Sequence, residues 1–170
     1  MQEGASQEDC GRNLGQLEGG WLSDRLWSQV KASLPIACVD VIVPNTDGAV
    51  LLGWRVIRPY VNVWALPGGR LRIGEDLRKA AQRVLFCHKI FARDFYLVGV
   101  FPVRFPSRFD VSMCVAASGY SGKPIPDGME FTAVRWFKTP PTRTGKNYRE
   151  MIKKWHEIRT LPELIKFNQI

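Results

Sequence analysis

The sequence predicts an α/β sandwich with a mixed β-sheet. Paired β-branched apolar runs are followed by an amphipathic helical run, and this order then repeats along the chain. A chain of 170 residues with 45% apolar content suits one core. We therefore expect a single domain over residues 21–170, preceded by a polar, glycine-rich and flexible arm over residues 1–20.

In the first half of the chain, one helix and two strands are predicted. Apolar residues recur every three to four positions from Trp21 to Ala32, which predicts a short helix packed on the domain and ended by Pro35. The β-branched runs 36–43 and 49–56 predict strands. Residues 45–48 between them, Asn-Thr-Asp-Gly, are typical of a hairpin turn.

The second half predicts a helix, three strands and a last helix. Residues 76–90 carry an apolar stripe typical of a helix, and residues 147–158 do the same with Met151, Ile152 and Trp155 as the packing face. The strands are predicted over 95–105 and 109–120, joined around Pro106-Ser107-Arg108, and over 134–137.

Composition excludes several classes of protein. No apolar run approaches the roughly 18 residues of a membrane span, and the acidic, polar start does not resemble a signal peptide. We expect a soluble, cytoplasmic protein that does not interact with membranes. The four cysteines are scattered, so reduced thiols are expected rather than a zinc site or a disulfide framework.

The net charge of +8 favours an anionic ligand. The densest basic cluster lies towards the end of the chain. It is interpreted as a solvated helix face, with nucleic-acid binding as the weaker alternative; its members are Lys138, Arg143, Lys146, Arg149, Lys153, Lys154, Arg159 and Lys166.

The most informative segment runs from Trp64 to Arg83. Pro67-Gly68-Gly69 predicts a turn where backbone can approach an anion closely, and the helix start that follows offers oriented N–H donors. Gly69, Glu75 and Arg83 are separated by five and seven residues. Together these features indicate a phosphate-binding loop and helix.

With this spacing the chain resembles the Nudix family, and within it the GDP-mannose mannosyl hydrolases. The resemblance implies a Nudix-type α/β/α sandwich. It covers residues 34–137 and is carried by residues 34–40, by Leu51-Leu52-Gly53-Trp54-Arg55 with Arg58-Pro59, by Trp64 with Pro67-Gly68-Gly69-Arg70, and by Arg135-Trp136.

The chain departs from the family at the metal-binding acids. Most Nudix enzymes resemble one another in carrying carboxylates where Val84, Cys87 and His88 stand here, so magnesium-dependent pyrophosphatase chemistry is not expected. Glu75 and Arg83 are interpreted as scaffold that ties the loop to the helix. Cys87 is interpreted as a small core residue.

The subgroup implies a reduced metal site. By resemblance, the ligands are the Gly69 carbonyl, His88 in place of a glutamate, and Glu130, while Phe131 replaces the subgroup's histidine base. A divalent metal is therefore a possible cofactor: magnesium, manganese or zinc, with an imidazole ligand favouring a transition ion. The alternative for His88 is a partly buried packing residue.

Resemblance also assigns the ligand contacts. Arg55 and Arg70 are expected to contact the diphosphate, because guanidinium groups bind phosphate oxygens in pairs, and with Glu130 they form the candidate catalytic set. The alternative is that the arginines form surface ion pairs. The candidate substrate-binding residues are Asp40, Arg58, Gly68, Gly69 and Trp64; Trp64 and Tyr60 either stack on a base or sugar, or pack in the core.

Two functions remain open at this point. One is a hydrolase that cleaves a GDP-mannose-like nucleotide sugar at the sugar carbon. The other is a catalytically inactive Nudix-fold module that binds a nucleotide or serves as a scaffold. A homodimer is possible, with Trp21 and Trp27 as a contact surface.

Overall fold

The computed structural model describes residues 23–160, together with the backbone of two short strands before them. The predicted arm falls mostly outside the described residues, as does the end of the predicted domain after residue 160. In chain order the elements are β1 (Gln16–Leu17), β2 (Gly20–Trp21), α1 (Asp24–Ser33), β3 (Ile36–Ile42), β4 (Val50–Arg55), β5 (Val63–Ala65), β6 (Gly68–Arg70), α2 (Leu77–Phe86), β7 (Asp94–Phe105), β8 (Arg108–Ser118), β9 (Phe131–Phe137) and α3 (Lys146–Ile158).

Two sheets form the centre of the fold. The first has the order β6-β3-β8-β7 and is mixed, because β3 and β8 run parallel while the other neighbours run antiparallel. The second has the order β5-β4-β9 and is antiparallel. This arrangement confirms the predicted α/β sandwich with a mixed sheet.

The predicted pairing of the first two strands is wrong. The turn itself forms: Gly48 has a φ of +78°, and its N–H donates to the Asn45 carbonyl over 3.0 Å. Next to the turn, the two segments pair through the Pro44–Val50 bridge and through hydrogen bonds from Asn45 to Ala49 and from Leu51 to Val43. Beyond that point β3 and β4 enter different sheets, so the turn joins two layers.

The second predicted strand pair is confirmed. Strands β7 and β8 form a hairpin whose register begins at Phe105 opposite Arg108, across Pro106 and Ser107. The last strand, β9, begins three residues before its predicted start, at Phe131.

Helices α2 and α3 cover separate cores. Val39 and Val41 pack with the buried face of α2, whereas α3 buries Met151, Ile152 and Trp155 in the other core, as predicted. Asp76 caps α2 by accepting the Lys79 N–H over 2.7 Å. Because α2 ends at Phe86, His88 lies in the following turn, and the predicted helix to residue 90 is too long.

The first helix differs more from its prediction. It begins after Ser23, whose side chain accepts the Leu26 N–H, and it buries none of its residues. Trp21 belongs to strand β2 instead. Nowhere in the described part of the chain is a helix long and apolar enough to cross a bilayer.

The cysteines only partly follow the prediction of reduced thiols. Cys38 and Cys114 are buried and free. Burial is the main cause that raises the pKa of both thiols, so they stay protonated at neutral pH. Cys87 is disulfide-bonded, which contradicts the prediction for this residue and excludes a thiolate ligand there.

Candidate functional site

A cavity of about 120 Å³ lies between the two sheets. Its volume is well above the roughly 10–15 Å³ needed for one water molecule. Strands β3, β6 and β8 form one wall, and the opposite wall comes from the end of β4, the loop after it and the start of α3. Four arginines and three acids line it: Arg55, Arg58, Arg70, Arg108, Asp40, Asp110 and Glu130.

Asp40 lies in the sheet wall of this cavity. It is 8% exposed, and the Ser112 hydroxyl donates a hydrogen bond to its carboxylate. Burial raises the pKa of Asp40 to about 6, although Ser112 and the Arg55 charge oppose the rise. The carboxyl can therefore change protonation state close to neutral pH.

The side chain of Asp40 leaves no room for a side chain at position 68, so this position needs glycine. The predicted reason was different, namely close approach of the backbone to an anion. The two residues are opposite each other in the β3–β6 pair, and a Cβ on Gly68 would overlap Oδ1 of Asp40. The segment Gly68–Arg70 is also a strand rather than a turn. Gly68 and Gly69 nevertheless line the cavity, and their contact with a ligand stays a prediction.

Replacing Asp40 with asparagine is expected to stabilise the protein at pH 8 and to change little at pH 4. The native state binds this proton more tightly than the unfolded chain does, so the contribution of Asp40 to stability falls as the pH rises from about 4 to 6. A pKa raised by about 2 corresponds to at most about 3 kcal/mol. Urea unfolding at both pH values measures the effect, with exposed Asp47→Asn as control. Equal effects of Asp40→Asn at pH 4 and 8 would contradict the assignment.

Arg70 carries the anion-binding prediction best. Its guanidinium carbon lies 4.2 Å from the ring centroid of Trp27 on α1. Burial, and then the neighbouring Arg108 charge, lower the pKa of Arg70 to about 10. A bound anion would offset both effects.

Arg55 forms an ion pair with Glu130, and both side chains are mostly buried, at 12% and 15% exposure. Its Nε and Nη2 atoms donate to the carbonyls of Ile57 and Arg58, each over 3.2 Å. The buried side chain of Tyr148 lines the same cavity. The guanidinium is thus fixed at the wall of the cavity.

Four polar residues that sequence reasoning missed also line the cavity: Arg108, Asp110, Ser112 and Asn147. Arg108 pairs with Asp110 over 2.6 Å, but Oδ1 of Asp110 and Oδ1 of Asn147 are buried with no hydrogen-bond partner among the described residues. The polar–apolar alternation of Asp110, Val111, Ser112 and Met113 was the available signal.

The predicted scaffold role of Glu75 and Arg83 is confirmed. Arg83 binds the carboxylate through two hydrogen bonds, of 2.7 and 2.8 Å, and donates to the Arg70 carbonyl over 2.9 Å. Glu75 also accepts the Arg72 N–H. The pair therefore holds the loop after β6 against α2.

The predicted metal ligands converge only in part. His88 and Glu130 share a small cavity of about 20 Å³ with Val84. Nδ1 of His88 lies 3.1 Å from the Ile125 carbonyl, a contact that leaves Nε2 as the ring nitrogen a metal could use, and the ring stacks on Phe131. Burial lowers the pKa of His88, so it is neutral at pH 7.

Neighbouring carboxylates are already committed to other partners. Glu130 pairs with Arg55, and Oδ1 of Asp127 accepts three backbone N–H groups. Within residues 23–160 no group of three or more His, Cys, Asp or Glu side chains is arranged to hold a metal ion. This donor set does not fit magnesium, which prefers several oxygen ligands.

Of the remaining residues predicted to contact a ligand, only some lie at the cavity. Arg58 lines the cavity, whereas Trp64 packs edge-on between Trp54 and Phe137 and does not line it. Tyr60 packs against Phe105 and Tyr148. For these two aromatic residues the structure favours the packing alternative.

Residues 34–154 match the family model of the NUDIX domain. The fold is similar to a MutT NUDIX hydrolase from Burkholderia pseudomallei, with a TM-score of 0.68, 22% identity, and coverage of 72% of this chain and 98% of that one. It is also similar to the NUDIX domain of Shewanella oneidensis NrtR complexed with ADP ribose, with a TM-score of 0.58, 17% identity, and coverage of 82% and 100%. These identities show the fold alone.

A sequence relative is the low-salt glycan biosynthesis protein Agl8 of Haloferax volcanii. The two chains are 35% identical over 63 residues, which are 37% of this chain and 40% of that protein. The match thus spans less than half of the relative's length.

Proposed function

Since this chain belongs to the Nudix domain family, we propose that the cavity between its sheets binds a nucleoside diphosphate or a nucleotide sugar. The observation that carries the proposal is the convergence of four arginines on one cavity beside Gly68 and Gly69. Their charge exceeds that of the three acids there, one of which, Asp40, is half protonated near pH 6. Such a cavity favours a ligand with phosphate groups.

Two relatives support this ligand class. The NrtR domain was crystallised with ADP ribose, a nucleoside diphosphate joined to a sugar. Agl8 is named as a low-salt glycan biosynthesis protein, which relates it to sugars. The base and the sugar of the ligand of this chain stay open.

A second candidate function is hydrolysis at the sugar carbon. Asp40 favours it, because a carboxyl in the cavity with a pKa of about 6 can accept or donate a proton near neutral pH. Glu130, Arg55 and Arg70 would be the other candidate catalytic groups. These groups are considered without magnesium, because Glu130 is paired with Arg55 and Asp127 accepts backbone N–H groups.

Ligand binding is tested by thermal shift with GDP, ADP, UDP, GDP-mannose and ADP-ribose, in EDTA and in magnesium, manganese or zinc. A ligand at 100 times its Kd adds about 2.7 kcal/mol, which raises the melting temperature by roughly 5–10 °C. Arg70→Ala is expected to abolish the shift by removing a half-buried cation that lines the cavity, and exposed Arg104→Ala, outside the cavity, to keep it. No shift with any ligand would contradict the proposal.

Product analysis of each binding ligand separates the two candidates. Release of free sugar, lost in Arg70→Ala, supports the hydrolase. Binding without any product supports the inactive module.

A further inference from the structure

We propose that Glu130 is an internal counter-anion. Its carboxylate competes with the ligand's phosphate for Arg55 and so weakens ligand binding, and this competition involves no divalent metal. This inference rests on the proposed function. It reverses the role that resemblance assigns to Glu130, which is to hold a metal and promote the reaction. The two roles predict opposite effects of the same substitution.

The hydrogen bonds of Arg55 show why the ligand and Glu130 compete. An arginine has five N–H donors. Nε and Nη2 each bind a carbonyl of the loop after β4, and Nη1 faces Glu130. The two carbonyl bonds anchor the side chain, and Glu130 pairs with Nη1, the one guanidinium nitrogen that binds neither carbonyl.

The surroundings of Glu130 explain why its partner is a guanidinium. Glu130 lies between the arginine cavity and the small cavity at the end of α2, and lines both. The small cavity is also lined by Val84, Phe131, His88 and Asp127, and the arginine that lines it, Arg83, is bound to Glu75. Arg55 is therefore the cation that neutralises Glu130.

Burial makes this competition strong. At 12% and 15% exposure, water screens the pair only weakly. A phosphate entering the cavity must displace the carboxylate or share the guanidinium with it, and like charges that share a site repel. Removing the charge of Glu130 while keeping its size should therefore tighten phosphate binding.

Isothermal titration of wild type and Glu130→Gln with GDP and with GDP-mannose, both in EDTA, tests the inference. Glu130→Gln is expected to bind about tenfold more tightly, which is the effect of about 1.4 kcal/mol of charge competition. Glu157→Gln is the matched control, because it makes the same charge change on the exposed face of α3, and its affinity should equal that of wild type. Adding magnesium should leave both affinities unchanged.

Glu130→Asp is measured in parallel, since it keeps the charge but withdraws it by one methylene group. It too should bind more tightly than wild type, and circular dichroism checks that each variant is folded. Weaker binding by both folded variants, or wild-type binding that needs magnesium, would overturn the inference but leave the proposed function intact. A complete absence of binding in every protein would overturn both.

Discussion

Replacing Arg83 with methionine is expected to lower the free energy of unfolding by about 3–5 kcal/mol. Arg83 and Glu75 are each only 11% exposed, and the substitution leaves the carboxylate buried without its cation. It also removes the hydrogen bond to the Arg70 carbonyl. Urea denaturation followed by circular dichroism measures the loss.

Two further variants show whether the burial of the pair causes this effect. Lys79→Met removes a cation from an ion pair on the same helix whose side chains are 71% and 57% exposed, and should cost under about 0.5 kcal/mol. The double variant Glu75→Gln with Arg83→Met should be more stable than the sum of the single effects predicts. Equal costs for Arg83→Met and Lys79→Met would contradict the scaffold role.

Local sequence signals predicted where the strands lie better than which strands pair with each other. The turn chemistry at residues 45–48 correctly gave a chain reversal, but the sheet that each flanking strand joins depends on distant residues. Strand β3 pairs with β6 and β8, and β4 pairs with β5 and β9. None of these pairings is encoded within a short window.

The end of α2 was missed for a related reason. The apolar stripe continues to Ile90, but Lys89 adopts a φ of +58° and the Ile90 N–H returns to the Leu85 carbonyl. The stripe persists because this turn packs on the same core as the helix. Helical spacing therefore placed His88 on the wrong element.

The residues of the candidate site were predicted only in part. Resemblance brought Asp40, Arg55, Gly68 and Arg70 together, and all four line the cavity. The Arg108–Asp110 pair and Asn147 come from the register of β8 and the docking of α3. Such contacts follow from tertiary packing, which periodicity does not report.

Two of the residues that replace the family's acids, Val84 and His88, are buried in the interior. Where acids are expected, Val84 is buried, and His88, in the turn after α2, is bound to a backbone carbonyl and stacked on Phe131. The retained pair, Glu75 and Arg83, still shapes the loop beside the cavity. The chain therefore keeps the part of the motif that shapes the loop beside the cavity and uses Val84 and His88 for packing.

Phe131→Ala is expected to lower the free energy of unfolding by about 3–5 kcal/mol, because it empties a fully buried site. The Phe131 side chain is 1% exposed, and its ring occupies the space that Gly53 leaves open, since a Cβ there would overlap it. The same ring covers His88, with centroids 5.2 Å apart. Phe91→Ala, at a ring 49% exposed, is the matched control and should cost about 1 kcal/mol. Equal costs of the two substitutions in urea unfolding would contradict this packing role. Packing would then no longer explain why Phe131 stands where the resembled subgroup has its histidine base.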